Sequence, residues 1–362
     1  MLCSSISPSI EQEERYLLTS TTTHTLFIDN STSPHTSYYE ELSQIERYVK
    51  LFNSNSVTKK DLQRLCWKGV PWHFRPKVWR ILTNETPLSL SKQDTTLLQK
   101  RINYFQLRDQ TLVELHEPEL TSKTQIDKDL LRSNKFLNFL SHQRVISLMR
   151  NILLLFSIRH PASGYTQGMS DLLVPFVTVF LSEYIAVDTI VKSSIDILPK
   201  DFLNNVEADS YYAFDYILTN IQDYYTYQHQ GVQQRIDQMN DILKTLDRDI
   251  SKHFVREGLN ISHFAFRWLT CCLSREFSIK VILRLWDSFL AFENGLGFST
   301  LNMFCCLSLL ERYKATLLTK SFTDLIYFLQ NLPTQDWTDD DVMNLVTQAF
   351  ILQYHFPLTD DL

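Results

Sequence analysis

The stretch SHQRVISLMR NILLLFSIRH PASGYTQGMS DLLVPFVTVF L, from Ser141 to Leu181, sets two strongly apolar segments on either side of a short loop. In the first segment Val145, Leu148, Met149, Ile152, Leu155 and Phe156 recur at steps of three and four, the spacing of one helix face. Ser141 is placed to cap that helix and Pro161 to stop it. The second segment is apolar from Leu172 to Leu181, contains Pro175 and falls well short of the roughly 18 residues a membrane span needs. Between them Gly164 and Gly168 bracket Tyr165, Thr166 and Gln167. Glycine there lets the backbone turn sharply or approach a partner closely, and Gln167 falls just ahead of a helix beginning near Met169. Taken alone, the loop reads first as a plain interhelical turn with Gln167 in water; a glutamine held at that place can also orient a water molecule.

The composition sharpens the contrast. Only 7 of 362 residues are glycine, about 2% against an average near 7%, so hairpins and bulges needing positive φ can hardly be built. An all-β or Rossmann fold is thereby disfavoured, and two glycines around one tripeptide stand out. With 44% hydrophobic and 21% charged residues the chain can bury a sizeable core. A formal charge of −6 gives no general field for phosphate backbones, so nucleic acid is not expected as a partner. Six cysteines (Cys3, Cys66, Cys271, Cys272, Cys305, Cys306) lack the spacing of a disulfide framework, and no apolar leader precedes them. A reducing cytosol is the expected compartment, and the sequons at Asn30 and Asn260 read as chance matches.

Further along, helical signals dominate. Residues 1–38 are rich in Ser and Thr and read as a disordered tail. Residues 39–57 read as a docking helix and linker, on the periodicity of Leu42, Ile45, Tyr48, Val49 and Phe52. Thr58 and Asp61 form a candidate capping box, Gly69 sits where a C′ residue belongs, and Pro76 fits the first turn of the next helix. Glu114 to Gln125 reads as a polar loop. Val232, Ile236, Met239, Ile242, Leu243, Leu246 and Ile250 make another stripe, followed by helices at about 262–273, 278–291, 299–318, 321–331 and 338–353. The default is an irregular all-α bundle, with the main domain at 58–357 and a short tail at 358–362.

The common chemical motifs are missing: no phosphate loop, dinucleotide turn, H-E-x-x-H or C-x-x-C occurs, so no cofactor or metal of its own is expected. The pairs Cys271-Cys272 and Cys305-Cys306 read as buried small residues, because adjacent helix positions point about 100° apart. Ser163 and Ser170 lie near His160 without a nucleophile elbow, which leaves hydrolysis unsupported. Upstream, Asp129 stands three residues before Arg132 in Ile126-Asp127-Lys128-Asp129-Leu130-Leu131-Arg132, close enough to orient the guanidinium if the turn is helical. Alone, that pair reads as an exposed surface ion pair worth little.

Together the two stretches resemble the TBC-domain Rab GTPase-activating proteins, whose signatures I-x-x-D-x-x-R and Y-x-Q are matched by Ile126, Asp129, Arg132 and by Tyr165, Gln167. Gly69-Val70-Pro71 with Arg75-Pro76-Lys77-Val78-Trp79 looks like the family's opening motif. Asn205 to Asp209, Phe264 to Trp268, Arg284 to Asp287 and Phe328 to Pro333 look like its Golgi-acting Gyp-type subgroup. The resemblance implies two helical subdomains around a groove where a GTP-loaded Rab docks, with Arg132 as an arginine finger and Gln167 as a glutamine finger. It also implies that Asp129 orients Arg132 and that Tyr165 shapes the glutamine loop. GTP and Mg²⁺ would be carried by the partner, and membrane contact would be indirect, through the lipidated Rab or an adaptor on the Golgi or another endomembrane. Arg75 and Trp79 read as packing residues. Leu131 and Ser170 depart from the family's usual residues, and Ser170 is expected to cost the loop a side-chain bond. The alternative is a catalytically silent Rab-binding or scaffold module.

Overall fold

A buried carboxylate more than two hundred residues away holds the segment that opens the domain. Asp287, fully inaccessible, accepts from the backbone N–H of Val70 at 2.8 Å, the indole N–H of Trp79 at 2.8 Å and the Arg75 guanidinium at 3.0 Å. The opening motif is therefore clamped to the Arg284 to Asp287 motif, and the packing role read for Arg75 and Trp79 is what the contacts describe.

The computed structural model describes residues 34–54, 58–113, 115–133, 137–185, 190 and 192–358. Of the tail read at residues 1–38, residues 1–33, with Cys3 and Asn30, lie outside the described residues, as do residues 359–362. The chain divides into two units, Met1–Lys50 and Leu51–Leu362. In chain order the α-helices are α1 (Pro34–Phe52), α2 (Lys59–Cys66), α3 (Arg75–Leu82), α4 (Leu90–Thr111), α5 (Glu117–Ser133) and α6 (Gln143–Arg159). They continue with α7 (Met169–Leu181), α8 (Lys192–Ile197), α9 (Lys200–Asn220), α10 (Gln230–Leu246), α11 (Arg248–Glu257) and α12 (Ser262–Thr270). The last are α13 (Ile279–Ala291), α14 (Asn302–Arg312), α15 (Lys314–Leu317), α16 (Phe322–Gln330) and α17 (Asp339–His355). Among the described residues every regular element is helical, as the sequence implies.

Within Leu51–Leu362 the packing falls into two groups. Helices α4, α5, α6, α7 and α9 pack on one another, as do α10, α12, α14, α16 and α17, while α13 touches both groups through α3, α7 and α17. The core runs through α7, whose residues are all buried except Val174, and through α13. Pro175 sits inside α7, where the missing N–H leaves one carbonyl without its helical donor. Two more buried acids fasten the first group: Asp209 takes Arg80 and Arg101 at 2.7 Å each, and Glu207 takes the Tyr104 hydroxyl at 2.8 Å and Arg108 at 3.0 Å.

Several local expectations hold, and several need correction. Thr58 caps α2 and donates to Asp61, Gly69 has φ +93°, and Pro76 lies in the first turn of α3. The helix read from residue 39 starts earlier, at Pro34, so the last residues of the stretch read as a tail are helical. Ser141 does not cap α6; it closes a 3₁₀ turn by donating to Asn138, and the His142 ring accepts the Arg144 N–H instead. The stripe ending at Ile250 is two helices, because Asp247 stops one and caps the next by accepting from Asp249 and Ile250 at 3.0 Å. The polar loop read at Glu114 to Gln125 is helical from Glu117 on: α5 begins there, where Pro118 suits a helix start and Glu117 and Glu119 favour the dipole.

Replacing Asp287 by Ala strands a guanidinium, an indole N–H and a peptide N–H in the interior, so urea unfolding should show a loss of about 3–5 kcal/mol. Asp287→Asn keeps an acceptor and should lose about half as much. A midpoint shift no larger than that of a surface substitution would show that this clamp carries no weight.

Candidate functional site

Arg132 and Gln167 sit at the ends of two elements that one buried carboxylate joins. Helix α5 turns Ile126 and Leu130 inward, both nearly inaccessible, and this places Asp129 in the interior at 7% exposure. Its Oδ2 accepts the Tyr165 hydroxyl at 2.9 Å, across 36 residues of chain. Its Oδ1 faces the Arg132 guanidinium at 3.7 Å, one helical turn on. That separation is beyond a hydrogen bond, and the Arg132 side chain is 69% exposed. The guanidinium is thus attracted toward Asp129 but left free to extend. Burial first, and then the neighbouring Asp129, raise the Tyr165 pKa well above that of a free phenol, so Tyr165 stays a donor.

The loop after α6 is built as a type II turn. Met169 N–H donates to Thr166 C=O at 3.2 Å, and Gly168 has φ 102° and ψ −15°. Gln167 is not among the residues with positive φ, which leaves it at the first central position of that turn, exposed at its apex. A Cβ on Gly168 would stand 3.3 Å from Cys271 Sγ, whereas one on Gly164, at φ +57°, would meet nothing within 4 Å. Gly168 therefore serves both the dihedral angle and the close approach. Ser170, expected to cost the loop a bond, is itself a hydrogen-bond partner of Tyr165 and is buried.

One pair had no signal in the sequence. Asp171, in the first turn of α7, receives Arg275 from the loop after α12 through Nε at 2.7 Å and Nη2 at 2.6 Å. Burial pushes the Asp171 carboxyl up, Arg275 pulls it down, and the field of Asp129 adds to the upward push. Beside this pair opens a groove of about 620 Å³, lined by apolar side chains that include Leu140, Val174, Pro175, Phe277 and Ile282.

The other candidates lie elsewhere or carry different chemistry. Ser163 donates to the His160 carbonyl rather than approaching its ring, which pairs with Asp215 at 2.8 Å. Cys66, Cys271, Cys272, Cys305 and Cys306 are buried free thiols, and burial pushes the Cys271 thiol up to about 12. Among the described residues no group of His, Cys, Asp and Glu is arranged to hold a metal ion.

The family model of the Rab-GTPase-TBC domain matches residues 73–318. The chain belongs to that family. It is 34% identical over 313 residues to the GTPase-activating protein gyp1 of Schizosaccharomyces pombe, covering 86% of this chain and 61% of the relative. TBC1 domain family member 22A of Homo sapiens is 32% identical over 321 residues, with 87% of this chain and 61% of that protein covered. The chain thus spans about six-tenths of the length of these relatives. The crystal structure of the Ypt/Rab-GAP domain of Gyp1p superposes with a TM-score of 0.83 at 30% identity, covering 87% of this chain and 99% of that one. The all-helical architecture described above is that of this TBC domain.

The turn geometry sets a graded expectation. Gly168→Ala, which meets both a forbidden dihedral and Cys271, should cost about 2–3 kcal/mol in thermal unfolding, against about 1 kcal/mol for Gly164→Ala. Equal costs at the two positions would remove the close-approach argument.

Proposed function

We propose that the chain is a GTPase-activating protein for a Rab-family GTPase, acting in trans through Arg132 and Gln167. The observation that carries this reading is the Asp129 to Tyr165 hydrogen bond. It ties the arginine-bearing helix end to the glutamine-bearing turn, with both tips exposed to a partner. Family membership and the names of the relatives, GTPase-activating proteins among them, support the same reading.

The chemistry follows from what a lone GTPase lacks. Its hydrolysis is slow because charge developing on the phosphate oxygens is incompletely stabilised and the attacking water is loosely held. Arg132 spreads two N–H donors over those oxygens as the charge grows, an interaction stronger in the transition state than in the ground state. Gln167 accepts from the water through its amide oxygen while its N–H₂ donates toward phosphate. Asp129 steers the guanidinium and Tyr165 steadies the glutamine turn. On this reading GTP and Mg²⁺ arrive with the partner, and the chain has no independent reaction of its own.

No helix among the described residues is long and apolar enough to cross a membrane. The proposed setting is the cytoplasmic face of the Golgi or another endomembrane, reached through the lipidated Rab or an adaptor. Which Rab is taken is a matter of surface complementarity along the groove rather than of a short motif.

A panel of GTP-loaded Rabs, followed by phosphate release, tests the assignment. Arg132→Ala should lower stimulated kcat by about 10³. Arg132→Lys should stay close to Ala because an ammonium cannot form the fork. Gln167→Ala should cost about 10². Rab binding should persist in all three. Full activity in Arg132→Ala would refute the finger, and a wild type that binds Rabs without stimulating any would leave the silent scaffold.

A further inference from the structure

The loop between α12 and α13 is held in an unusual conformation directly beneath the glutamine turn. Cys272 and Leu273 are consecutive non-glycine residues at φ 46° and 60°, both buried. Such backbone persists only where its surroundings over-determine it. Here they do: the Trp286 indole donates to Cys272 C=O at 3.2 Å, Leu273 N–H donates to Trp268 C=O at 3.0 Å, and the Thr334 hydroxyl donates to Glu276 C=O. The result is that Cys271 Sγ lies against Gly168 and Arg275 reaches Asp171. Asp171 N–H in turn donates to Gly168 C=O at 3.0 Å, so the carboxylate bound by Arg275 belongs to a residue in the first turn of α7 that is bonded to the glycine ending the Gln167 turn.

Charge gives this contact a second consequence. Asp171 is a mostly buried acid whose charge is disfavoured by burial and then by Asp129, and Arg275 pairs with it at 2.6 Å. Removing Arg275 leaves Asp171 without the cation that pairs with it, and the loss falls on the first turn of α7, to which the Gly168 carbonyl is bonded.

We infer that Arg275 is a positioning residue of this site: by binding Asp171 it fixes the first turn of α7 and, through Gly168, the Gln167 turn. The inference rests on the Rab-GTPase reading above and deepens it. It assigns no contact between Arg275 and nucleotide.

The test uses the full chain with Arg275→Ala, Arg275→Lys and the double variant Arg275→Ala/Asp171→Asn. Each is measured for stimulated phosphate release and, without any Rab, for amide hydrogen exchange at residues 164–171. Arg275→Ala should lower kcat by about 10 to 100-fold with KM nearly unchanged, because a misplaced glutamine weakens the transition state rather than docking. Exchange in the turn should quicken. The double variant, which deletes the stranded charge, should recover about tenfold of that loss, and Arg275→Lys should fall between. An effect confined to KM, a kcat within about twofold of wild type, a double variant no better than Arg275→Ala, or unchanged exchange at 164–171 would each overturn the positioning role. A wild type inactive on every Rab would instead bring down the functional reading, and the positioning role would then stand or fall on the exchange measurement alone.

Discussion

A phenol donating to a buried carboxylate, Tyr165 to Asp129, is the contact on which the site depends. Neither Arg132 nor Gln167 is placed by its own packing, since both tips are exposed. What fixes them is the backbone behind each, the last turn of α5 and the type II turn ahead of α7. The Tyr165 to Asp129 hydrogen bond joins those two pieces of backbone across 36 residues of sequence. Because Asp129 is mostly buried, that bond is worth more than a surface contact of the same length.

The same device recurs through the scaffold. Asp287, Asp209 and Glu207 are all buried, and each gathers arginine or aromatic donors from helices near the start of the domain. Such clusters are a poor source of net stability, because desolvating the charges offsets most of their attraction. They are sensitive to geometry, however, since each donor left unmatched is expensive. The effect is to fix how α3 and α4 sit on α9 and α13, and so to give α5, α6 and α7 an unambiguous bed.

Legibility followed the range of the interaction. The stripe of α6, the start of α2, the proline of α3 and the glycine-bracketed turn were readable because each depends on residues within one or two helical turns. Thr58 and Gly168 are where local chemistry puts them. The cap of α6 was misplaced by one residue because a histidine ring took a role that serine ordinarily fills. The first half of α5, up to Gln125, reads as a loop because none of its residues is buried; the inward-facing Ile126, Asp129 and Leu130 all come later. The long helices α4 and α9 drew no specific reading. In α4 few residues are buried; in α9 buried Glu207, Asp209 and Ser210 interrupt the apolar pattern that periodicity relies on. Arg132 and Gln167 were found through paired motifs. Arg275 was not, since its partner lies 104 residues away and no local pattern distinguishes an arginine after a helix end from a solvated one.

The use of arginine in this chain separates scaffold from tip. Arg75, Arg80, Arg101, Arg267 and Arg275 each hydrogen-bond a carboxylate within about 3 Å and are partly or wholly withdrawn from water. In that state a guanidinium is a rivet: its charge is already satisfied and its fork already committed, so it has little left for a new anion. Arg132 differs on each count, being exposed and standing 3.7 Å from a carboxylate whose other oxygen is occupied by Tyr165. Its attraction to Asp129 is screened by water and weak, which on the proposed function leaves the guanidinium available to a phosphate that gains charge during reaction. A side chain held in this way loses little when a partner docks and gains most at the transition state, which is the requirement for raising kcat rather than for binding tightly. The distinction between the riveted arginines and the poised one is therefore a matter of electrostatics rather than of residue type, and it depends on Asp129 remaining buried and Tyr165 remaining protonated.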